Sequence, residues 1–277
     1  MVTTFQLDCA GIHPFGEHRT MREASAHLPE GAYTTFRTYD GNRLLRLDQH
    51  IQRLEESVTL MGRPARLDAR AVRRGILHAL RATGYPESRF RLTFAPPTLF
   101  ITIEPFTPYP PALYESGAWC VTVPLHRQNP QAKSTTFIAS AAQAYDALPD
   151  GAHEGLMVGE DGAILEGLSS NFFAVLPRSQ DNDGLELRTE NERVLAGVTR
   201  AIVLELARAM LPVSYVAATC AELSQVRECF ITSVSREVLP VVKIDAHVIG
   251  DGRPGPITRA LMARFREMVA REAEALT

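Results

Sequence analysis

Residues 32–39 (Ala-Tyr-Thr-Thr-Phe-Arg-Thr-Tyr) are rich in aromatic and β-branched side chains, and Asp40-Gly41-Asn42 has turn composition before Leu44-Leu45. The pattern predicts a strand and a hairpin. The period then lengthens. With Asp48 as N-cap, Ile51, Leu54, Val58 and Met61 fall on one face of a helix. A second helix is expected from near Asp68, with Val72, Ile76 and Leu80 inward. Residues 90–94 and 99–103 read as two strands split by Pro96-Pro97, a hairpin with a longer loop. The first thirty residues show no clear strand pattern. Residues 105–117 crowd Pro105, Pro108, Pro110 and Pro111 together without periodicity, which marks a linker. The expected division is a small N-terminal domain over 1–104, a linker over 105–117 and a larger C-terminal domain over 118–277.

In the second half, strands are expected at 119–123, 155–158, 163–165, 172–176, 230–234 and 239–244. Helices fit 134–147, a segment opened by Gly197-Val198-Thr199 with Ile202, Leu206 and Met210 on one face, and 257–273 with Leu261, Phe265 and Met268 inward. Residues 179–184 read as an exposed polar loop. No internal repeat is present. Strands and helices mixed in this way give an α+β class.

Composition narrows the function classes. The 277 residues are 45% hydrophobic and 22% charged, ordinary for a globular protein, and the net charge of −3 gives no electrostatic case for nucleic acid or an anionic membrane. No apolar run approaches the roughly 18 residues of a membrane span, and the N-terminus lacks a signal-peptide pattern. Cys9, Cys120, Cys220 and Cys229 are scattered, with no Cys-x-x-Cys pair and hence no metal site, and a cytoplasmic protein is expected. Residues 250–255 fit the letters of a dinucleotide fingerprint. Only 22 residues follow Gly255, too few for the returning strand of that unit, so a turn into the last helix is expected. No phosphate-loop, zinc-protease or nucleophile-elbow motif occurs.

Lysine is scarce: Lys133 and Lys243 stand alone against 27 arginines. Codon bias accounts for scarcity, but an arginine cannot replace a lysine that must shed its proton and condense with a carbonyl. Lys133 lies among small polar residues (Gln131-Ala132-Lys133-Ser134-Thr135-Thr136), and Lys243 at an ordinary strand end. In Glu166-Gly167-Leu168-Ser169-Ser170-Asn171-Phe172-Phe173, the carboxylate is either held in a cleft or solvated in a turn. Gly197-Val198-Thr199-Arg200 is either a plain helix start or an anion site made by backbone N–H groups and a hydroxyl. Arg53 sits beside the apolar stripe of its helix and needs an anionic partner, a ligand or a carboxylate elsewhere in the fold. His50 is assigned no chemistry. An amine, a carboxylate, an anion site and a buried arginine match what pyridoxal phosphate requires at its aldehyde, ring nitrogen and phosphate.

From about residue 30 onward the chain resembles the fold type IV (class IV) pyridoxal-phosphate enzymes, which include branched-chain and D-amino-acid aminotransferases and aminodeoxychorismate lyases. The resemblance rests on Leu47-Asp48-Gln49-His50-Ile51-Gln52-Arg53-Leu54, the Lys133 segment, the Glu166 to Phe173 stretch, Leu195 to Arg200, and 230–241 with Glu237 and Pro240. It implies a smaller N-terminal α/β domain and a larger, β-barrel-like C-terminal domain with flanking helices, assembled as a homodimer. It also implies roles. Lys133 would bind pyridoxal 5'-phosphate as a Schiff base and move the substrate's proton, and Glu166 would pair with the pyridine nitrogen. Arg53, the N–H groups of Val198 and Thr199 and the Thr199 hydroxyl would hold the phosphate, with Ser233, Val234 and Ser235 closing the cradle.

The chain departs from the family in places. Phe137 stands where branched-chain enzymes carry a tyrosine, Val234 where a phosphate-binding threonine is common, and Leu168 where a small residue is usual. Arg37 and Arg91 are the candidate binders of a substrate carboxylate. The expected activity is amino transfer between an amino acid or amine and a 2-oxo acid. The alternatives are aminodeoxychorismate lyase, kept by Thr34-Thr35-Phe36-Arg37, and a cofactor-binding protein without turnover.

Overall fold

A computed structural model describes residues 1–178 and 184–276; the polar loop expected at 179–184 thus falls outside the described residues except for Gly184. In chain order the elements are β1 (Val2–Asp8), β2 (Gly11–His18), α1 (Met21–Ala26), β3 (Ala32–Tyr39), β4 (Arg43–Leu44), α2 (Leu47–Leu60), α3 (Ala69–Thr83), β5 (Ser88–Ala95) and β6 (Thr98–Pro105). There follow α4 (Pro111–Ser116), β7 (Ala118–Val123), α5 (Thr136–Asp146), β8 (Glu154–Val158), β9 (Ile164–Gly167), β10 (Asn171–Pro177), β11 (Leu185–Arg188) and α6 (Val198–Ala207). Last come β12 (Val213–Ser214), a 3-10 turn (Cys220–Gln225), β13 (Glu228–Ser233), β14 (Glu237–Ile244), β15 (His247–Val248), α7 (Pro256–Glu272) and β16 (Glu274–Ala275). Two compact units result: residues 1–108, 132–139 and 269–277 form one, and 109–131 with 140–268 the other. Of the stretch read as a linker, residues 109–117 belong to the second unit, and α4 forms there because Pro110 and Pro111 start a helix without losing a needed N–H. No helix among the described residues is long and apolar enough to cross a membrane.

The first unit is built on an antiparallel sheet of order β16-β4-β3-β5-β6-β1-β2. Its two faces differ. Phe36, Phe90, Leu92, Ile101 and Ile103 alternate onto one face, where Ile51, Leu54 and Val58 of α2 and Val72 and Ile76 of α3 are buried with them. The opposite face carries Tyr33, Thr35 and Arg37 of β3, Arg89 and Arg91 of β5, Thr102 and Glu104 of β6 and Thr4 of β1, placed together by the register. Strands β1 and β2 lie within the first thirty residues, where the sequence shows no clear strand pattern. β2 is a largely exposed edge strand, so its side chains have no buried face to advertise.

Several local expectations shift. Arg46, in the left-handed region at φ 54°, caps α2; Asp48 falls inside its first turn, where a carboxylate favours the helix dipole. Asp68 does cap α3, Oδ1 accepting the Arg70 and Ala71 amides at 2.9 and 3.2 Å. Ala95 pairs with Thr98, so Pro96-Pro97 alone turns the hairpin expected to need a longer loop. Helix α6 stops at Ala207, leaving Met210 beyond it; Ile202, Val203, Leu204 and Ala207 form its buried face.

The second unit is a closed barrel. β10, β13, β14, β7, β8 and β9 follow one another, and β9 returns to β10 through a single rung, Glu166 opposite Asn171. Cys120, Leu156, Ile164, Phe172, Ile231 and Leu239 are among the side chains that fill its core. The glycine-rich run at 250–255 is a turn into α7, as expected, with Gly250 and Gly252 at φ 59° and 78°.

Candidate active site

Lys133 is held by its backbone. Residues 132–139 form part of the first unit because this segment adds onto the start of β3: Tyr33 N donates to Lys133 O at 2.8 Å, Thr135 N to Gly31 O at 2.9 Å, and Ala32 bridges Ser134. Lys133 N donates to Ser57 Oγ at 3.2 Å, from α2. With main chain fixed on both sides, the side chain is directed over Tyr33, its Nζ 4.8 Å from the ring centroid.

Arg53 lies one helical turn before Ser57 on α2. Its guanidinium is buried; Nη2 donates to Thr34 Oγ1 at 2.5 Å, while Nε has no hydrogen-bond partner among the described residues. No carboxylate of the described residues pairs with it, and burial lowers its pKa to about 10, with Tyr33 and Glu56 opposing. A buried cation in this condition calls for an anion. His50, one turn earlier, also meets Thr34, Nδ1 to Oγ1 at 2.9 Å, and burial, then Arg53 and Lys133, push its pKa well below the usual 6.5.

Arg91 lies on the polar sheet face. It donates from Nη1 to Ser25 Oγ, its Cζ is 5.1 Å from the same Tyr33 ring, and its Nε has no hydrogen-bond partner among the described residues. Burial lowers its pKa. Arg37, on the same face, stacks on Tyr39 and Phe106 with its Cζ 3.9 and 5.1 Å from their centroids. Lys133, Arg53 and Arg91 therefore gather about Tyr33 and Thr34, and Arg37 stands apart with its own aromatic pair.

The second unit assembles the other candidates. Glu166 is 2% exposed and lies in β9, so it is not a solvated turn carboxylate. Its Oε2 accepts from Asn171 Nδ2 at 3.1 Å and Leu195 N at 3.2 Å, and its Oε1 is 2.9 Å from Arg127 Nε. Asn171 also donates to Leu195 O at 2.8 Å, which ties the carboxylate to the entry of α6. Gly197 is required there, since a Cβ would stand 2.3 Å from Asn171 Oδ1. Val198 and Thr199 are buried in the first turn, where helix amides lack intrahelical partners. Arg200 pins the preceding loop, donating to Glu190 O at 2.8 Å. On the other side, Asn171 is opposite Thr232, so Ser233, Val234 and Ser235 continue from the row that holds Glu166. All three are half-buried, and Ser233 Oγ accepts from Arg236 N at 3.2 Å.

Among the departures, Leu168 is buried against Gly155, which leaves room for it. Lys243 lies over Trp119, 4.5 Å from the ring centroid. Sequence reasoning passed over His50, Thr34, Tyr33, Arg127 and the partners of Asn171. The spacing of His50 and Arg53, one turn apart, was the available signal.

Residues 31–244 match the family model described as amino-transferase class IV. A Methanocaldococcus jannaschii protein named "Putative branched-chain-amino-acid aminotransferase" is 27% identical over 259 residues, covering 86% of this chain and 87% of its own. The chloroplastic D-amino-acid transaminase of Arabidopsis thaliana is 24% identical over 257 residues, 85% of this chain and 67% of its own. Among solved structures, the branched-chain aminotransferase of the thermophilic archaeon Thermoproteus uzoniensis, with norvaline, superposes with a TM-score of 0.77 at 23% identity, covering 98% of this chain and 96% of that one. At that identity it shows a shared fold.

Proposed function

The chain belongs to the amino-transferase class IV family, and from that membership we infer that it passes an amino group between an amino acid and a 2-oxo acid with pyridoxal 5'-phosphate as cofactor. When bound, that cofactor supplies an aldehyde that condenses with amines and a ring that takes up the electrons released at the substrate's α-carbon. The observation that carries the reading is the buried Arg53 guanidinium, with its unbonded Nε, one helical turn from the serine that holds Lys133. A dianionic phosphate fits that charge, and the lysine fits the aldehyde.

On this reading Lys133 supplies the amine and carries the proton to and from the substrate α-carbon. Glu166, oriented by Asn171, Leu195 and Arg127, accepts the proton-bearing ring nitrogen. Arg53, the amides of Val198 and Thr199 and the hydroxyls of Thr199, Ser233 and Ser235 hold the phosphate, with Val234 contributing only backbone. Arg91 reads a substrate carboxylate. Its guanidinium and the Lys133 amine lie within about 10 Å of each other, each near the Tyr33 ring, and Arg37 supplies further positive charge on the same sheet face. A homodimer in the cytoplasm completes the proposal; a light-scattering mass of 30.6 kDa, that of one chain, would overturn the dimer.

The test is Lys133→Ala. The wild-type protein should show a visible absorbance band with the cofactor that changes when an amino acid is added. The variant should lose both the band and amino transfer, and wild-type turnover in it would remove Lys133 from its role. A donor panel containing both enantiomers reads the substrate's hand.

A further inference from the structure

A buried polar cluster in the second unit meets the proposed cofactor contacts at Ser233, whose Oγ accepts from Arg236 N. Glu154, fully buried in β8, pairs with Arg236, Oε2 to Nη1 at 3.1 Å. Tyr145 donates to Glu154 Oε1 at 2.5 Å, and Ser170 to Oε2 at 2.9 Å. Arg236 also donates to Ser169 Oγ at 2.9 Å. Glu154 is shut off from water and Arg236 nearly so, and each is satisfied by the other and by hydroxyls, the condition under which a buried pair is retained. Burial works against the Arg236 charge, and Glu154, Tyr145 and Tyr109 outweigh it and raise its pKa.

Two loops hang on this cluster. One is the turn between β9 and β10, residues 168–170, which follows Gly167. A Cβ at Gly167 would stand 2.2 Å from Ser170 Oγ and 2.9 Å from Glu154 Cγ, so the main chain passes directly over the carboxylate. The other is the turn at 234–236 between β13 and β14. Arg236 is its last residue, and its main chain is fixed at both ends, N donating to Ser233 Oγ and O accepting from Tyr114 at 3.1 Å. An arginine fixed at both main chain and guanidinium has no freedom left, and neither does the turn it closes.

We propose that Arg236 is a positioning residue for the phosphate of the cofactor: anchored by Glu154, Tyr145 and Ser169, it sets the turn that presents Ser233 and Ser235. The inference rests on the cofactor reading above. Removing one ion alone strands the other in the interior and unfolds the barrel in part. The informative variant is the neutral double, Glu154→Gln with Arg236→Met, in which the amide keeps partners for Tyr145 and Ser170.

The experiment titrates the full-length apo-protein with pyridoxal 5'-phosphate and, separately, with pyridoxal, which lacks the phosphate, and records the melting temperature of each apo-protein. The double variant should melt above either single variant. Its affinity for the phosphorylated compound should fall about tenfold, the loss of one or two hydrogen bonds to a charged group, while that for pyridoxal stays within about twofold. Equal losses for both compounds, or no loss for either, overturn the proposal. Failure of the wild-type protein to bind the phosphorylated compound overturns the cofactor reading together with it.

Discussion

Thr34 Oγ1 accepts from Arg53 and has one proton to give, and His50 Nδ1 is the atom 2.9 Å away. Arg53 Nη2, which can only donate, also faces Nδ1 at 3.4 Å, so His50 accepts at Nδ1 and is neutral, with its proton on Nε2. A second proton would break that bond and set a cation beside Arg53 and Lys133, which is why its folded pKa lies well below 6.5. In the unfolded chain His50 titrates near 6.5, so below that pH the unfolded state binds more protons and stability falls as pH falls. The expected slope is up to about 1.4 kcal/mol per pH unit between the two pKa values, with a plateau above. Urea midpoints at pH 7.5 and 5.5 should converge in His50→Asn; curves parallel to wild type would refute the assignment. Single residues of this kind are poorly legible in a sequence. His50 looks like any helix histidine until Thr34 is placed against it. Asn171 stood inside a quoted motif, yet its two hydrogen bonds reach residues 5 and 24 positions away.

At the element scale, helices announced themselves by their stripes, and their ends by local chemistry only where the cap is local. Asp68 is such a cap. The start of α7 is not: Glu228, from β13, accepts Ile257 N at 3.0 Å and Thr258 N at 2.7 Å across about thirty residues of chain. This carboxylate is buried and serves two amides, so Glu228→Ala should cost about 2–4 kcal/mol. Asp68→Ala, at an exposed cap, should cost about 1 kcal/mol. Chemical denaturation of both variants checks the order, and a larger loss at Asp68 would contradict it. Strands were legible where one face is buried. β1 and β2 escaped notice because β2 has little buried face, and the Lys133 segment because its pairing with β3 joins residues about a hundred positions apart.

At the scale of the molecule, the second unit is closed while the first has edges. Amides of β10, β13 and β14, central in the barrel, should be among the slowest to exchange with deuterium. Those of β2 and β12, at sheet margins, should be among the fastest. Uniform exchange across the barrel and these edges would contradict the closed topology. The barrel itself came from the family resemblance, since a short strand carries no mark of which neighbour it takes; the ring became visible only from its register.

The rung that shuts this ring is Glu166 opposite Asn171, with four residues, 167–170, between them. An insertion there would slide the rung out of register and open the cylinder. Surface loops elsewhere can lengthen over evolutionary time and so acquire new specificities. This one is barred from that route. Descendants of this chain can vary the 167–170 link only by exchanging side chains at constant length, which makes its length a more durable lineage marker than its letters.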